Sequence, residues 1–457
     1  MAAERETGPT RVVIEGGHVL SMDPRVGEPL GADVLVEDGR IVEVRRDSGA
    51  RGDRDAEWTR TAERIDARGC LVLPGFVDTH RHMWQAILRG SGADQTLEQY
   101  FDVVLHSLGP RLGPEDLGLG NLLSALGALD AGVTTVQDIS NITKVTEEHT
   151  DALVHALDDA GIRAVFAYGQ GDERDTRRIR DGRMHSDDAL VTMALNAEPA
   201  GDEDVLREWA LARDLDLSLA LHVRGGRPLS RLRQLGVLRP GTVYIHGTGL
   251  DAGELRILAD SGGGLSIAPG IEMTMGHGLP PFAAAAAVGL RPGLSADVEA
   301  AAASDLFGQM RTAFQVARFA ALHGTDGVGA PLPTTRDVLE FATIDGARVL
   351  GMDDRIGSIT PGKQADIVVL RADRPGVVPV YDAVGTVVSA MDRADVDTVL
   401  VAGRVVKRDG RLLRPDLPAL AERANEVRDR LARTGHLRTR TPSSTAARTV
   451  RSSSLSR

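Results

Sequence analysis

The segment PGFVDTHRHMWQAILRG (residues 74–90) carries the densest chemical signal in the chain. Its apolar first half is typical of a buried strand, and His80 and His82 stand two residues apart where that strand ends. Because strand side chains alternate between two faces, both imidazoles point to the same side. Two imidazoles on one face can hold a divalent metal ion. The segment therefore predicts a metal-binding strand end.

The surrounding region, about residues 71–350, alternates apolar strands with helical patterns. An α/β fold built as a (β/α)8 TIM-type barrel is predicted, because eight βα units fit this length. An open doubly wound sheet is the alternative, and it ranks second because no glycine-rich phosphate fingerprint follows the first strand. The strand candidates are residues 71–79, 134–140, 163–169, 189–196, 215–223, 241–247, 263–269 and 290–298.

Both ends of the chain have a different texture, with short alternating strands and tight turns such as Asp38-Gly39. We expect residues 11–70 and 355–415 to pair into one small β-sandwich beside a barrel of residues 71–354. A helix is predicted over residues 416–438. Residues 1–10 and the Ser/Thr/Arg-rich tail 439–457 are predicted to be flexible.

Composition excludes several classes of protein. Lys and Arg number 53 against 65 Asp and Glu, so the net charge of −12 disfavours binding to nucleic acid. No apolar run of about 18 residues predicts a membrane span, and the first ten residues have no secretory signal. Cys70 is the single cysteine and excludes an internal disulfide. We expect a cytoplasmic protein without a membrane partner.

Three more polar residues close predicted strands. His222 ends the fifth strand, His246 the sixth and Asp297 the eighth. A single histidine at a strand end is more often structural than a ligand. In a barrel, however, the carboxyl ends of the strands converge on one mouth. Together with His80 and His82, these residues therefore predict one site.

These residues resemble those of the amidohydrolase superfamily. The HRH motif at 80–82, the strand-end histidines, the final aspartate and the segment PGKQADIVVL (361–370) are similar to its cytosine-deaminase and chlorohydrolase branch. That branch includes triazine hydrolases and guanine-type and adenosylhomocysteine-type deaminases. The resemblance covers about residues 11–415. It implies a metal-dependent barrel, a sandwich made from both chain ends, and a homo-oligomer.

The resemblance also implies roles for individual residues. One divalent ion, Zn²⁺ or else Fe²⁺, would be held by His80, His82, His222 and Asp297. Asp297 would accept a proton from the attacking water, and His246 would orient that water. Two-metal relatives carry a carboxylated lysine on the fourth strand, whereas the three lysines here lie elsewhere, which favours one metal. Substrate contacts are predicted for Trp84, Gln85, Arg224 and His277.

The chain departs from the family at one position. Ring deaminases of this branch carry His-x-x-Glu at the fifth strand, where the Glu protonates a ring nitrogen. Here the strand reads LHVRGG, and Gly225 occupies the Glu position. Glu272, expected to face the mouth after the seventh strand, and His277 are the candidate proton donors, and Arg224 would stabilise a developing anion.

Three functions follow from this pattern. The first is hydrolysis of a C–N bond in a small nitrogen heterocycle, most directly deamination of a purine, pyrimidine or triazine-like ring. The second is hydrolysis of a cyclic amide, which needs no proton on a ring nitrogen. The third, of another class, is a catalytically silent relative that binds a metabolite.

Overall fold

The computed structural model describes residues 10–46, 60–142, 146–169, 172–324, 331–413 and 416–433. Eight parallel strands follow one another in chain order around a barrel. The barrel closes where its last strand meets its first, through a bridge between Arg81 and Asp297. The predicted (β/α)8 fold is confirmed, and the doubly wound alternative is wrong. The barrel strands are β6 (Phe76–Arg81), β7 (Val133–Ser140), β8 (Arg163–Tyr168), β9 (Val191–Ala197), β10 (Ser218–Val223), β11 (Thr242–His246), β12 (Gly264–Ile267) and β13 (Gly293–Leu294).

The second sheet contains strands from both ends of the chain, as predicted. Its central pairing joins a strand from each end of the chain in antiparallel register, with Cys70 opposite Arg371 and Pro74 opposite Ile367. The sheet encloses its own apolar core, which includes Ile14 and Leu400. Its strands are β1 (Arg11–Val19), β2 (Ala32–Glu37), β3 (Arg40–Arg46), β4 (Glu63–Asp66), β5 (Cys70–Pro74), β14 (Ile367–Arg371), β15 (Val396–Val401), β16 (Arg404–Arg408) and β17 (Arg411–Leu412).

The strand predicted at 71–79 is two strands. Residues up to Pro74 belong to the sandwich as β5, and the barrel strand β6 begins at Phe76. Gly75 stands between them against Thr134, whose Oγ1 would lie 2.1 Å from a Cβ at that position. A continuous apolar run therefore serves both domains, and only the packing at Gly75 divides it.

Helices cover the outside of the barrel and form the connections at its mouth. The connection after β6 is the longest of the barrel connections. It includes a π-helix, which is a rare form that is often found at functional sites. No helix of the described ranges is long and apolar enough to cross a membrane. The α-helices are Leu97–Tyr100, Pro114–Asp130, Glu147–Ala160, Glu173–Asp181, Asp202–Asp214, Pro228–Gln234, Ala252–Ser261, Pro269–Thr274, Phe282–Ala287, Leu306–His323, Thr335–Phe341, Ile344–Val349, Ala383–Ser389 and Leu417–Arg433; the π-helix is Phe101–Leu108, and 3-10 helices are Met83–Leu88, Gly109–Arg111 and Arg393–Asp395.

The predicted C-terminal helix begins near the expected residue and is described as far as Arg433. The flexible segments predicted at residues 1–10 and 439–457 lie outside the described residues, except for Thr10.

Candidate active site

The carboxyl ends of the barrel strands bring the predicted polar residues together. His80 Nε2 lies 3.0 Å from Asp297 Oδ1, and His82 Nε2 lies 3.6 Å from the same oxygen. His246 Nε2 lies 3.9 Å from Asp297 Oδ2. The His222 ring centre is 4.9 Å from that of His80. Four histidines and one carboxylate thus surround one point at the mouth.

Hydrogen bonds on the outer side of the cluster orient three of the rings. His82 Nδ1 lies 3.2 Å from the carbonyl oxygen of Ile139. His222 Nδ1 bonds to the Glu198 carboxylate, and His246 Nδ1 lies 3.1 Å from Glu272 Oε1. A proton held at Nδ1 leaves Nε2 with a lone pair, which is the state in which imidazole binds a metal. The second contacts therefore prepare the inner nitrogens as ligands.

The donor set fits a divalent metal ion. Ligand atoms of His80, His82 and His222 lie within 4.8 Å of one another, as do those of His80, His246 and Asp297. His80 Nδ1 is buried and has no hydrogen-bond partner among the described residues. Imidazole nitrogens with one carboxylate are a ligand set that zinc commonly takes in hydrolases. The cluster is accordingly a candidate metal centre.

Burial sets the ionisation of the cluster. It lowers the pKa of His80 to about 4 and that of His82 to about 3, because a charged imidazole would lose its hydration there. Burial alone would raise the pKa of Asp297, but the surrounding imidazoles, His80 foremost, hold it below its usual range. Neutral imidazoles beside an ionised carboxylate are the forms that bind a cation. His222 differs, because burial alone would lower its pKa but the Glu198 carboxylate raises it.

Backbone strain marks two members of the cluster. His246 has a φ of 73° and Asp297 a φ of 60°, and residues other than glycine rarely adopt this left-handed backbone conformation. Such conformations cost about 1–3 kcal/mol each and concentrate at functional sites. For both residues, this geometry is the one in which the side chain reaches the cluster.

The cluster opens into a cleft, which we call the mouth cleft. Its walls combine apolar side chains with a few polar ones, as is usual where small molecules bind. Arg224 and His277, two residues predicted to contact the substrate, are among the residues that line it. The lining residues are His82, Leu97, Tyr100, Phe101, Leu105, Asn141, Glu198, His222, Arg224, His246, Ile271, Met275, His277, Asp297 and Val298.

Trp84 and Gln85 do not line the mouth cleft, contrary to expectation. Both are buried in the 3-10 helix after β6. Gln85 Nε2 donates to the hydroxyl of Tyr100, and Trp84 Nε1 donates to Asn141 Oδ1 over 3.2 Å. They therefore hold two lining residues in place and do not themselves face the cleft.

Glu272 also lies elsewhere than expected. Its side chain is fully buried behind His246 and accepts a hydrogen bond from the Ala268 amide at 2.9 Å, so it does not face the mouth. Burial raises its pKa well above the usual value. The short helix Pro269–Thr274 turns the carboxyl group inward. This contact makes Glu272 a positioning residue for His246.

His277 and Glu198 are the candidates for the proton-donating role that Gly225 leaves open. The His277 ring packs edge-on against His246 at 4.6 Å, and both its nitrogens are buried with no partner among the described residues. Sequence reasoning missed Glu198, which follows β9 directly. The rule that selected His222 and His246, a polar residue at the end of a barrel strand, would have found it.

Together the fold and the cluster define a (β/α)8 metallohydrolase with its site at the carboxyl ends of the strands. Residues 71–406 match the amidohydrolase family. The chain belongs to this family. The predicted resemblance is confirmed, as is the prediction of a metal-dependent hydrolase acting on carbon–nitrogen bonds.

Individual relatives match over nearly the whole chain. The chain is 30% identical to a 5-methylthioadenosine/S-adenosylhomocysteine deaminase of Desulforudis audaxviator, over 92% of this chain and 99% of that protein. It is 30% identical to a 5'-deoxyadenosine deaminase of Methanothermobacter thermautotrophicus, over 88% and 94% respectively.

Solved structures share the fold at lower identity. An adenosine deaminase from Xanthomonas campestris with bound zinc superposes with a TM-score of 0.81 at 24% identity, covering 93% of this chain and 99% of that one. An atrazine chlorohydrolase from Arthrobacter aurescens complexed with zinc gives 0.78 at 23%, covering 91% and 99%. Both likenesses concern the fold alone.

Proposed function

We propose that the protein is a zinc-dependent aminohydrolase that releases the exocyclic amino group of an adenine-type ring as ammonia. The observation that carries the proposal is the cluster of His80, His82, His222, His246 and Asp297 at the floor of the mouth cleft. The curated relatives, deaminases of adenine nucleosides by name, support adenine within the wider class of purine, pyrimidine and triazine rings.

His80, His82, His222 and Asp297 are the residues that would hold the ion. Zn²⁺ is favoured over Fe²⁺ because imidazole nitrogens combined with a carboxylate are a donor set that zinc commonly takes in hydrolases. When bound, the ion lowers the pKa of a water molecule and so supplies a nucleophile near neutral pH.

The chain's own residues manage the protons of the reaction. Asp297 accepts a proton from the water molecule while the water oxygen bonds to the ring carbon that carries the amino group. His246, held at Nδ1 by Glu272, directs Nε2 toward the same point and orients the attacking oxygen. The carbon–nitrogen bond then breaks, and the proton leaves with the amino group as ammonia.

His277 is the proposed partner of the substrate ring. Its two buried nitrogens have no partner among the described residues and lie beside His246 in the mouth cleft. Either nitrogen can hydrogen-bond to a ring nitrogen next to the attacked carbon. This contact would do part of the work that a Glu at position 225 does in related deaminases.

A second candidate is hydrolysis of a cyclic amide. It is favoured by Gly225, where the side chain that protonates a ring nitrogen is absent and a Cβ would meet no atom within 4 Å. A cyclic amide would give a ring-opened acid, whereas deamination gives free ammonia. Product analysis therefore separates the two reactions.

The first test combines metal analysis of the purified protein with ammonia release from adenine nucleosides, aminopyrimidines and triazines. We expect about one zinc ion per chain and ammonia from an adenine nucleoside. D297N should lower kcat by at least about 10²–10⁴-fold at matched zinc content, since that is the usual worth of a general base. D260N, an exposed position, is the control.

Other outcomes would contradict the proposal. A ring-opened acid without ammonia would replace it with amide hydrolysis. A protein without metal after zinc-replete expression would favour a silent relative that binds a metabolite. Substantial turnover by D297N would remove Asp297 from the proposed role.

We also propose that the protein works as a homo-oligomer in the cytoplasm. The family resemblance supports assembly, and a single free cysteine, Cys70, suits a reducing compartment. Sedimentation equilibrium of the full chain gives the subunit number, and a monomer at micromolar concentration would contradict this part of the proposal.

A further inference from the structure

One arginine stands in the mouth cleft beside the histidines. Arg224 follows the last residue of β10, Val223, and lines the cleft together with His222. Among the described residues that line the cleft, it is the one Arg or Lys. A guanidinium is protonated at every pH at which proteins fold, so it brings a permanent positive charge to the substrate's entrance.

No carboxylate of the described chain forms an ion pair with Arg224, although its charge acts on Glu198 at longer range. Buried arginines elsewhere are paired: Arg163 lies 2.8 Å from Asp366, and Arg81 lies 2.6 Å from Asp78. Arg224 forms no hydrogen bond or ion pair within the described ranges. Glu198, a carboxylate that lines the same cleft, instead forms a hydrogen bond with His222.

The turn that follows Arg224 supplies no carboxylate to it, because its next two residues are glycines. Gly225 has a φ of 51° and Gly226 a φ of 65°, and the Gly225 amide donates to the Thr248 carbonyl over 2.8 Å. Ring deaminases of the family place a Glu at the position of Gly225. Here a Cβ at that position would meet nothing within 4 Å. Position 225 thus has space for a side chain but supplies no carboxylate beside Arg224.

Arg224 lines the mouth cleft but is not one of the residues of the histidine cluster. Its positive charge contributes to lowering the pKa of His246 and His277, although burial is the larger cause in both. Its side chain is nevertheless exposed, at the rim. A ring bound over the histidines would therefore keep its substituent, and not its reacting carbon, within reach of the guanidinium.

We infer that Arg224 is a specificity-determining residue that binds an anionic substituent of the substrate, a carboxylate or a phosphate. The planar guanidinium matches either group with two parallel hydrogen bonds. Three further lining residues, Leu97, Phe101 and Met275, are apolar and would accept the uncharged part of the substituent. The inference rests on the proposed aminohydrolase function and adds the substrate class to it.

The experiment compares matched substrates on the zinc-loaded full chain. S-adenosylhomocysteine and its methyl ester differ in the carboxylate charge and one methyl group, and adenosine 5'-monophosphate and adenosine differ in the phosphate. For each pair, the ratio of kcat/KM for the charged over the uncharged member is measured. Because both members meet the same metal site, the ratio cancels any effect of a variant on folding or zinc content.

We expect the unmodified protein to prefer one charged member, and R224Q to lower that preference about 10- to 100-fold, mostly through KM. This range corresponds to the loss of a charge-assisted hydrogen bond pair. R224K should keep part of the preference. R227Q removes an exposed arginine three residues away that does not line the cleft, and it should leave the ratio unchanged.

The two possible anions and the two levels of proposal are distinguishable. The inference is supported if the charged member of one pair is preferred and R224Q loses that preference. The pair that shows this behaviour identifies the anion as a carboxylate or a phosphate. Ammonia release with ratios near one, or ratios that R224Q does not change, overturns the inference alone. Ammonia from no adenine compound overturns the proposed function, and this inference with it.

Discussion

At the scale of single residues, the site depends on second contacts as much as on the ligands. His82, His222 and His246 each have Nδ1 engaged by a carbonyl or a carboxylate, which directs Nε2 inward. Sequence position selects the histidines, but their ring orientation depends on partners from other strands. Glu198 and Glu272 supply two of these partners, and both are carboxylates that a motif search for metal ligands passes over.

Glu198 should matter for metal affinity. We expect E198Q to weaken zinc binding about 10- to 100-fold, because loss of an outer partner of a histidine ligand usually costs that much. Competition with a chelating indicator measures the affinity independently of turnover. E203Q, on the exposed face of the next helix, is the control. An affinity equal to that of the unmodified protein would show that His222 needs no partner.

At the scale of elements, the boundary between the two domains depends on one glycine. The run CLVLPGFVDT reads as one apolar strand, yet β5 pairs with β14 of the sandwich and β6 with β7 of the barrel. The chain changes sheets at Gly75, where the Thr134 side chain fills the space of a Cβ. This close approach fixes where β6 begins and hence where His80 and His82 emerge.

G75A should therefore destabilise the protein. A methyl group there overlaps Thr134 from the neighbouring strand, and such overpacking costs about 1–3 kcal/mol. Urea unfolding measures the change in the free energy of unfolding. G376A is the matched control, since a Cβ at Gly376 meets no atom within 4 Å. Equal stability of the two variants would show that Thr134 moves aside without cost.

At the scale of the whole molecule, a buried ion pair joins sandwich to barrel. Arg163, at the start of β8, donates two hydrogen bonds to Asp366, which directly precedes β14. Asp366 also accepts the Ala402 amide at 2.8 Å. One carboxylate thus connects a barrel strand with two segments of the sandwich that lie far away in the chain.

Removal of this carboxylate should affect the molecule as a whole. We expect D366A to lower the free energy of unfolding by about 3–5 kcal/mol, because Arg163 is left buried without a counter-charge. D366A/R163M should regain much of the loss. E147Q, which breaks an exposed pair with Arg174, should cost at most about 1 kcal/mol. A similar small loss in D366A would mean that water replaces the carboxylate.

The amino-acid sequence by itself determined the barrel, the pairing of the two chain ends and the cluster of His80, His82, His222, His246 and Asp297. These follow from local rules, since strand alternation and position at a strand end depend on near neighbours in the chain. Only the tertiary structure decided that Glu198 holds His222, that Glu272 lies behind His246, and that Trp84 and Gln85 turn away from the cleft. The direction of a side chain between two elements depends on what the second element brings to it, and that partner is remote in sequence.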